Sequence, residues 1–146
     1  MSDTTPRFGN PGVPVGCILV LAGFVLPWLA FGNLSGLEIG ADPEKAATAA
    51  AVVRAVHRFE PGAMRMLYFV PLLALSTLLL DVAVAVGQRE RTFARLGVLV
   101  AGGALTLFFL YVGVAFLPYL ASGFWGSCMG ALFILVGGTF NAARRE

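Results

Sequence analysis

The chain has 146 residues, of which 58% are hydrophobic and 12% charged. An average soluble domain is about 45–50% apolar and about 25% charged. Half the usual charge excludes a disordered tail, a nucleic-acid-binding module and an ordinary soluble enzyme, and it leaves a polytopic membrane protein whose single domain covers residues 1–146. The net charge of +2 is too small to imply a polyanionic partner. Nine arginines and one lysine are divided among loops and termini, so the sequence shows no dense basic patch. Eighteen glycines exceed the usual share of about 7% and, in a membrane chain, point to close helix packing.

The expected fold is an all-α integral membrane protein: four transmembrane helices in a bundle, with an extramembrane amphipathic helix in the first loop. The first span covers about Val13–Phe31. It has one upstream arginine, like a signal peptide, but it is long and ends in Pro27-Trp28 without a small-x-small cleavage site. Val15-Gly16-Cys17 is no lipoprotein box, because the apolar run follows the cysteine.

An outer loop of 34 residues follows, Gly32–Arg65. Its first part, Gly32–Ala41, has three glycines and no helical period, which predicts an irregular or hairpin-like segment. Asp42-Pro43 is an N-cap followed by proline at the first helical position. A helix to about Phe59 then carries Ala49, Val52, Val53, Val56 and Phe59 as one apolar stripe, with Lys45, Arg54 and Arg58 mainly off it, and Glu60-Pro61-Gly62 ends it. That stripe is either a lid packed on the bundle or a surface for docking a partner. Asn33-Leu34-Ser35 matches a glycosylation sequon by chance.

The second span covers about Met66–Val86 and contains Pro71. The apolar stretch Leu96–Phe140 would be roughly 67 Å long as one helix, over twice the ~30 Å hydrocarbon core. It therefore folds back at Pro118, giving a third span of about 96–117 and a fourth of about 120–140.

Arginine placement orients the chain. Arg7, Arg89, Arg91, Arg95, Arg144 and Arg145 fall on one side, in short segments, and this side is the cytoplasmic one. Lys45, Arg54, Arg58 and Arg65 are spread along the outer loop. Both termini are thus expected inside a bacterial inner membrane or its equivalent. Trp28, Tyr68, Tyr119 and Trp125 fall at the outer boundary, where aromatic belts form.

Small residues recur at four-residue spacing: Ser122, Gly126 and Gly130, with Gly137 a heptad later; Gly12 and Gly16, with Gly23 a heptad later; and Gly102 with Thr106. Such positions let helix backbones approach, within the chain or between chains. Asp81 is the only acid within a span, roughly 9 Å deep by helical rise. It is either paired with one of Arg89, Arg91 and Arg95, or part of a proton or cation path. Ser76, Thr77 and Tyr111 add a hydroxyl layer at depth.

The single histidine, His57, lies in the outer loop, so no histidine-ligated haem fits within the spans, and no multi-histidine metal site exists. Cys17 and Cys128 fall at opposite faces, and no CxxC, phosphate loop or dinucleotide fingerprint is present. No cofactor and no catalysis are expected.

Four spans with a large first outer loop, a short second outer turn and both ends inside resemble the claudin layout. Of the claudin loop signature, Trp28 and Gly36-Leu37 are present; Glu38 stands in place of the second tryptophan and the loop has no cysteine. The early intramembrane glutamate of small multidrug transporters is also missing, since the first span has no acid.

The leading expectation is a non-catalytic accessory or scaffold subunit of a larger membrane complex, with the lipid bilayer and other membrane subunits, or further copies of itself, as partners and no nucleic acid. The alternative is a small oligomeric transporter or channel using Asp81. A membrane enzyme acting at the outer loop is a third option.

Overall fold

A computed structural model describes residues 10–29, 34–54, 67–87, 91–117 and 120–143. The described residues are mainly helical, with one short antiparallel ribbon. In order it forms α1 (Gly12–Val25), β1 (Pro27–Leu29), β2 (Leu34–Ser35), α2 (Gly36–Ala41), α3 (Pro43–Arg54), α4 (Phe69–Ala85), α5 (Arg91–Phe116) and α6 (Ser122–Ala143). Among the described residues two helical stretches are long and apolar enough to cross a membrane, Thr92–Val114 and Ser122–Ala143; α1 and α4 are shorter apolar helices.

Helix α1 is shorter than its apolar run. Proline disfavours the helical region for the residue before it. Leu26 accordingly sits at φ −76°, ψ 158°, and the helix stops at Val25. The expected span to Phe31 is therefore helix and then strand: Pro27–Leu29 pairs antiparallel with Leu34–Ser35. The Trp28 carbonyl also accepts from the Ala121 N–H at 2.7 Å, fastening the strand to the start of α6.

The glycine-rich segment before Asp42 is partly hairpin, as the ribbon shows, but Gly36–Ala41 is helical instead of irregular. Ser35 and Glu38 explain this. The Ser35 hydroxyl accepts from the Glu38 N–H at 3.2 Å, and Glu38 Oε2 accepts from the Ser35 N–H at 3.0 Å. This capping box satisfies two end groups at once and outweighs two glycines. Asp42 ends α2 and starts α3, its Oδ1 accepting from the Glu44 N–H at 3.0 Å with Pro43 in the first helical position.

α4 ends at Ala85, where Gly87 takes the left-handed conformation (φ 75°) that a side chain would resist. α5 begins at Arg91, five residues before the apolar run that predicts it, because a helix need not stop where its hydrophobic stretch does.

α1 packs against α6 and α4, and α5 packs against the same two. The contact series Gly12 with Gly137, Gly16 with Gly130 and Gly23 with Gly123, and Val98 with Gly138 and Gly102 with Leu135, show that α1–α6 and α5–α6 run antiparallel, and Gly97 of α5 meets Leu80 of α4. The start of α1 and the end of α6 are joined by the Asn10 N–H donating to Asn141 Oδ1 at 2.9 Å. The core between the helices holds Val13, Cys17, Val20, Phe24, Trp28, Ala74, Leu105, Phe109, Phe124 and Ile134. The outward faces are apolar too: Phe69, Leu72, Leu75, Leu79 and Val82 on α4, and Leu96, Val100, Leu107, Leu110 and Val114 on α5, are exposed. Exposed apolar faces of this extent mark surfaces that contact a membrane or another protein.

Candidate functional site

The tightest region of the molecule is the seam between α1 and α6. A Cβ placed on Gly16 would lie 2.5 Å from the Gly130 carbonyl oxygen, and one on Gly130 would lie 2.6 Å from the Gly16 oxygen. A Cβ on Gly137 would be 2.9 Å from Val13 N, and one on Gly123 would be 2.6 Å from the Leu26 and Pro27 oxygens. A Cβ on Gly23 would collide with the Ser127 hydroxyl and come within 2.7 Å of the Gly123 oxygen. At each of these points a backbone carbonyl oxygen or amide of the facing segment occupies the space that a side chain would need.

The stripe on α6 thus runs Gly123, Ser127, Gly130, Ile134, Gly137, with alternating steps of four and three. That 3.5-residue mean keeps one face turned to a neighbouring helix, whereas a strict four-residue step drifts off it. Ser122 and Gly126, which the four-residue pattern singles out, fall beside the seam. Ser122 is exposed, and the nearest atom to a Cβ on Gly126 is the Gly23 Cα at 4.0 Å. Gly12 lies at the rim of the seam, 3.4 Å from the Gly137 Cα by the same measure. Gly102 faces α6, its Cβ position 3.0 Å from the Leu135 backbone, and Gly138 faces Val98 on α5. Gly123 and Ser127 on this seam, and Gly138 facing α5, fall outside the Ser122–Gly126–Gly130 series; Gly123 and Ser127 are themselves four apart, and the alternating step leading to Gly130 and Gly137 joins them to one face.

Two threonines at depth bond within their own helices. The buried Thr77 donates to the Leu73 carbonyl at 2.7 Å, within its own helix. Thr106 does the same with the Gly102 carbonyl, also at 2.7 Å. Ser76 and Tyr111 are on the exposed surface, so the three hydroxyls do not form one buried layer. The reason is register: Ser76 and Thr77 are adjacent on α4, and adjacent helical residues point about 100° apart. Ser127 is fully buried and donates across the seam to the Val20 carbonyl at 3.4 Å. Among the described residues no buried side-chain polar atom lacks a hydrogen-bond partner.

Trp28 is not part of an interfacial belt. It is 3% exposed, its Nε1–H donates to the Gly23 carbonyl at 2.9 Å, and its ring meets Phe24, Phe109 and Phe124 edge to face at 5.5, 5.6 and 5.8 Å. Trp125 and Tyr68 remain exposed. The ribbon turns Trp28 inward because its carbonyl is held by α6.

Asp81 continues the inward stripe of α4, Val70, Ala74, Thr77, at the same alternating spacing. It is half-buried. It forms no ion pair among the described residues, which include the side chain of Arg95; Arg89 and the side chain of Arg91 lie outside them. Cys17 and Cys128 are free thiols. Among the described residues no group of three histidine, cysteine or acidic side chains could hold a metal.

Over one end of the bundle, α2 is fixed by Glu38. Its carboxylate takes the Lys45 ammonium at 2.7 Å and the Ser35 N–H and hydroxyl at 3.0 and 3.1 Å. The Lys45 bond first, and then the two Ser35 bonds, pull the Glu38 carboxyl down to about 2, while Glu38 raises the Lys45 ammonium. Ile39 is buried in the bundle core beneath α2. The side chains of Val52 and Val53, and residues Val56 and Phe59, lie outside the described residues.

No protein-family model matches the chain, and no curated protein or solved structure is similar to it.

Proposed function

We propose that the chain is a four-span integral membrane protein acting as a non-catalytic accessory or scaffold subunit of a larger membrane complex. α1, α4, α5 and α6 are the spans, α3 is an amphipathic lid on the outer end, and both termini face the cytoplasm of a bacterial or equivalent membrane. The observation that carries the functional reading is that, among the described residues, the buried side-chain polar groups are satisfied inside the chain while the outward faces of α4 and α5 are apolar. Such a molecule presents surface for packing and no converging polar groups for chemistry. Helix α1, 14 residues long, rises roughly 21 Å, and the extended β1 adds roughly 10 Å, together near the ~30 Å hydrocarbon core. Within the strand Trp28 is buried and its carbonyl is bonded to α6, as a non-helical segment at that depth requires.

Purification in mild detergent after cross-linking in the native membrane tests this reading. Other membrane subunits should co-purify in fixed proportion. A chain recovered only with itself overturns the accessory role.

The inward position of Asp81 favours a second reading, a small transporter or channel. It has a titratable group but no ladder: outward along the same stripe lie Thr77, whose hydroxyl is committed to Leu73, then Ala74 and Val70. In proteoliposomes wild type and Asp81→Asn should show equal proton and cation leak. Flux in the wild type that Asp81→Asn abolishes would favour transport.

A further inference from the structure

Several hydroxyls along the helices bond within the chain. Thr77, Thr106 and Thr139 each donate to a carbonyl three or four residues back in their own helix, and Ser127 donates across the seam to Val20. Ser76 differs. It stands midway along α4 on the exposed face, and its hydroxyl makes no hydrogen bond among the described residues. A bare hydroxyl facing hydrocarbon is disfavoured, and a bond to a neighbouring helix relieves it.

Ser76 is also the narrow point of a regular stripe. Phe69, Leu72, Ser76, Leu79, Ala83 and Val86 follow one another at alternating steps of three and four along α4 and its capping residue. Phe69, Leu72, Leu79 and Val86 are between 58% and 67% exposed. A mean step of 3.5 residues keeps all six on one line toward a neighbouring helix. Ser76 and Ala83, a heptad apart, are small and let that helix come close, with larger side chains above and below. The stripe carries no formal charge, and a hydroxyl bears both a donor hydrogen and an acceptor oxygen. Its charge pattern is therefore complementary to itself. Copies inserted in one membrane with the same topology run parallel, so a two-fold axis along the membrane normal sets Ser76 level with Ser76 of a second copy.

We infer that the outer face of α4 is a self-association surface: two copies of this chain pair through the stripe centred on Ser76, and the two Ser76 hydroxyls bond to each other. This rests on the membrane reading above but not on the accessory role. The helix is 17 residues long, so the strip is roughly 26 Å by about 10 Å, on the order of 250 Å² per copy. That is about a third of the ~800 Å² per partner of a standard soluble interface. The pair is therefore reversible, and it forms because the bilayer already fixes the plane and the orientation of both copies.

The test uses the full chain, labelled at its N-terminus with a donor or an acceptor dye and reconstituted together in phosphatidylcholine vesicles. Energy transfer should exceed that of randomly scattered labels and should fall as lipid is added. Ser76→Ala, a change at an exposed position to a better helix former, should weaken pairing roughly three- to tenfold. Ser76→Phe, which puts bulk at the close point, should abolish it. Leu107→Ala, on the exposed face of α5, should leave it unchanged. As a separate measure of proximity, Ser76→Cys should cross-link on mild oxidation faster than the wild type, whose cysteines are Cys17 and Cys128, and faster than Leu107→Cys. Transfer no greater than random, or transfer that neither Ser76→Ala nor Ser76→Phe reduces, overturns the inference and leaves the membrane reading standing. So does a face that holds a different subunit and no second copy, seen as a co-purifying protein that Ser76→Phe releases. A chain that does not enter the vesicles overturns both.

Discussion

Gly16 and Gly130 exclude each other's side chains reciprocally: a Cβ on either would sit on the carbonyl oxygen of the other, at 2.5 and 2.6 Å. Neither obstacle is a flexible side chain that could step aside, since each is backbone inside a helix. Gly16→Ala and Gly130→Ala should therefore each cost about 1–3 kcal/mol through overpacking. Gly103 is the control, because nothing lies within 4 Å of its Cβ position. Gly103→Ala should be neutral or stabilising by about 0.5–1 kcal/mol, the helix preference for alanine over glycine. Thermal unfolding in one detergent compares all three. Equal effects at Gly103 and Gly130 would count against the seam.

Part of this architecture is written in local sequence. Asp42-Pro43 marks the start of α3 through local chemistry alone, and the excess of glycine announces close helices. What the sequence leaves open is which glycines meet. Gly126 and Gly130 look alike at four-residue spacing; only the partner helix decides that Gly130 faces it and Gly126 lies beside it. Trp28 is ambiguous for a similar reason. A tryptophan at the end of an apolar run usually anchors at the interface, and here a single long-range hydrogen bond, from Ala121 to the Trp28 carbonyl, turns it into the core. The capping box of α2 was legible as Ser35-x-x-Glu38 but is masked by the glycines around it.

The two tryptophans should report opposite environments. Trp125 is 50% exposed on the outer face of α6, whereas Trp28 is walled in by Phe24, Phe109 and Phe124. Brominated lipid should quench the emission of a Trp28→Phe variant strongly and that of a Trp125→Phe variant weakly. The Trp28→Phe substitution also removes the N–H donated to Gly23 and should cost about 1–2 kcal/mol, with Trp28→Ala reaching about 3–5 kcal/mol. Equal quenching of both variants would place Trp28 outside the core.

The cap over α2 should loosen in acid. The folded Glu38 carboxyl is pulled down to about 2 from its ordinary 4.5, so the folded state binds its proton less readily than the unfolded chain. Its contribution is fully present above about 4.5, declines as pH falls, and is gone below about 2. Amide hydrogen exchange at Glu38 and Ile39 should accelerate relative to α5 across that window. Glu38→Gln, which keeps the shape but cannot hold the Lys45 ammonium as an ion pair, should flatten the dependence. Exchange that is independent of pH in the wild type after correction for intrinsic rates would remove Glu38 from this role.

Ser127 separates hydrogen bonding from space at the seam. Its bond to Val20 is long, 3.4 Å, and the Val20 carbonyl retains the helical acceptor role it has in α1, so Ser127→Ala should cost no more than about 1 kcal/mol. Space is the harder constraint. A Cβ on Gly23 meets the Ser127 hydroxyl, but it also meets Ser127 N and the Gly123 oxygen, both at 2.7 Å. Removing the hydroxyl clears one obstacle of three. Gly23→Ala should therefore be nearly as destabilising in combination with Ser127→Ala as alone, with a coupling energy below about 0.5 kcal/mol in a double-mutant cycle. A full rescue by Ser127→Ala would mean that the side chain, and not the backbone of α6, sets the distance between the two helices.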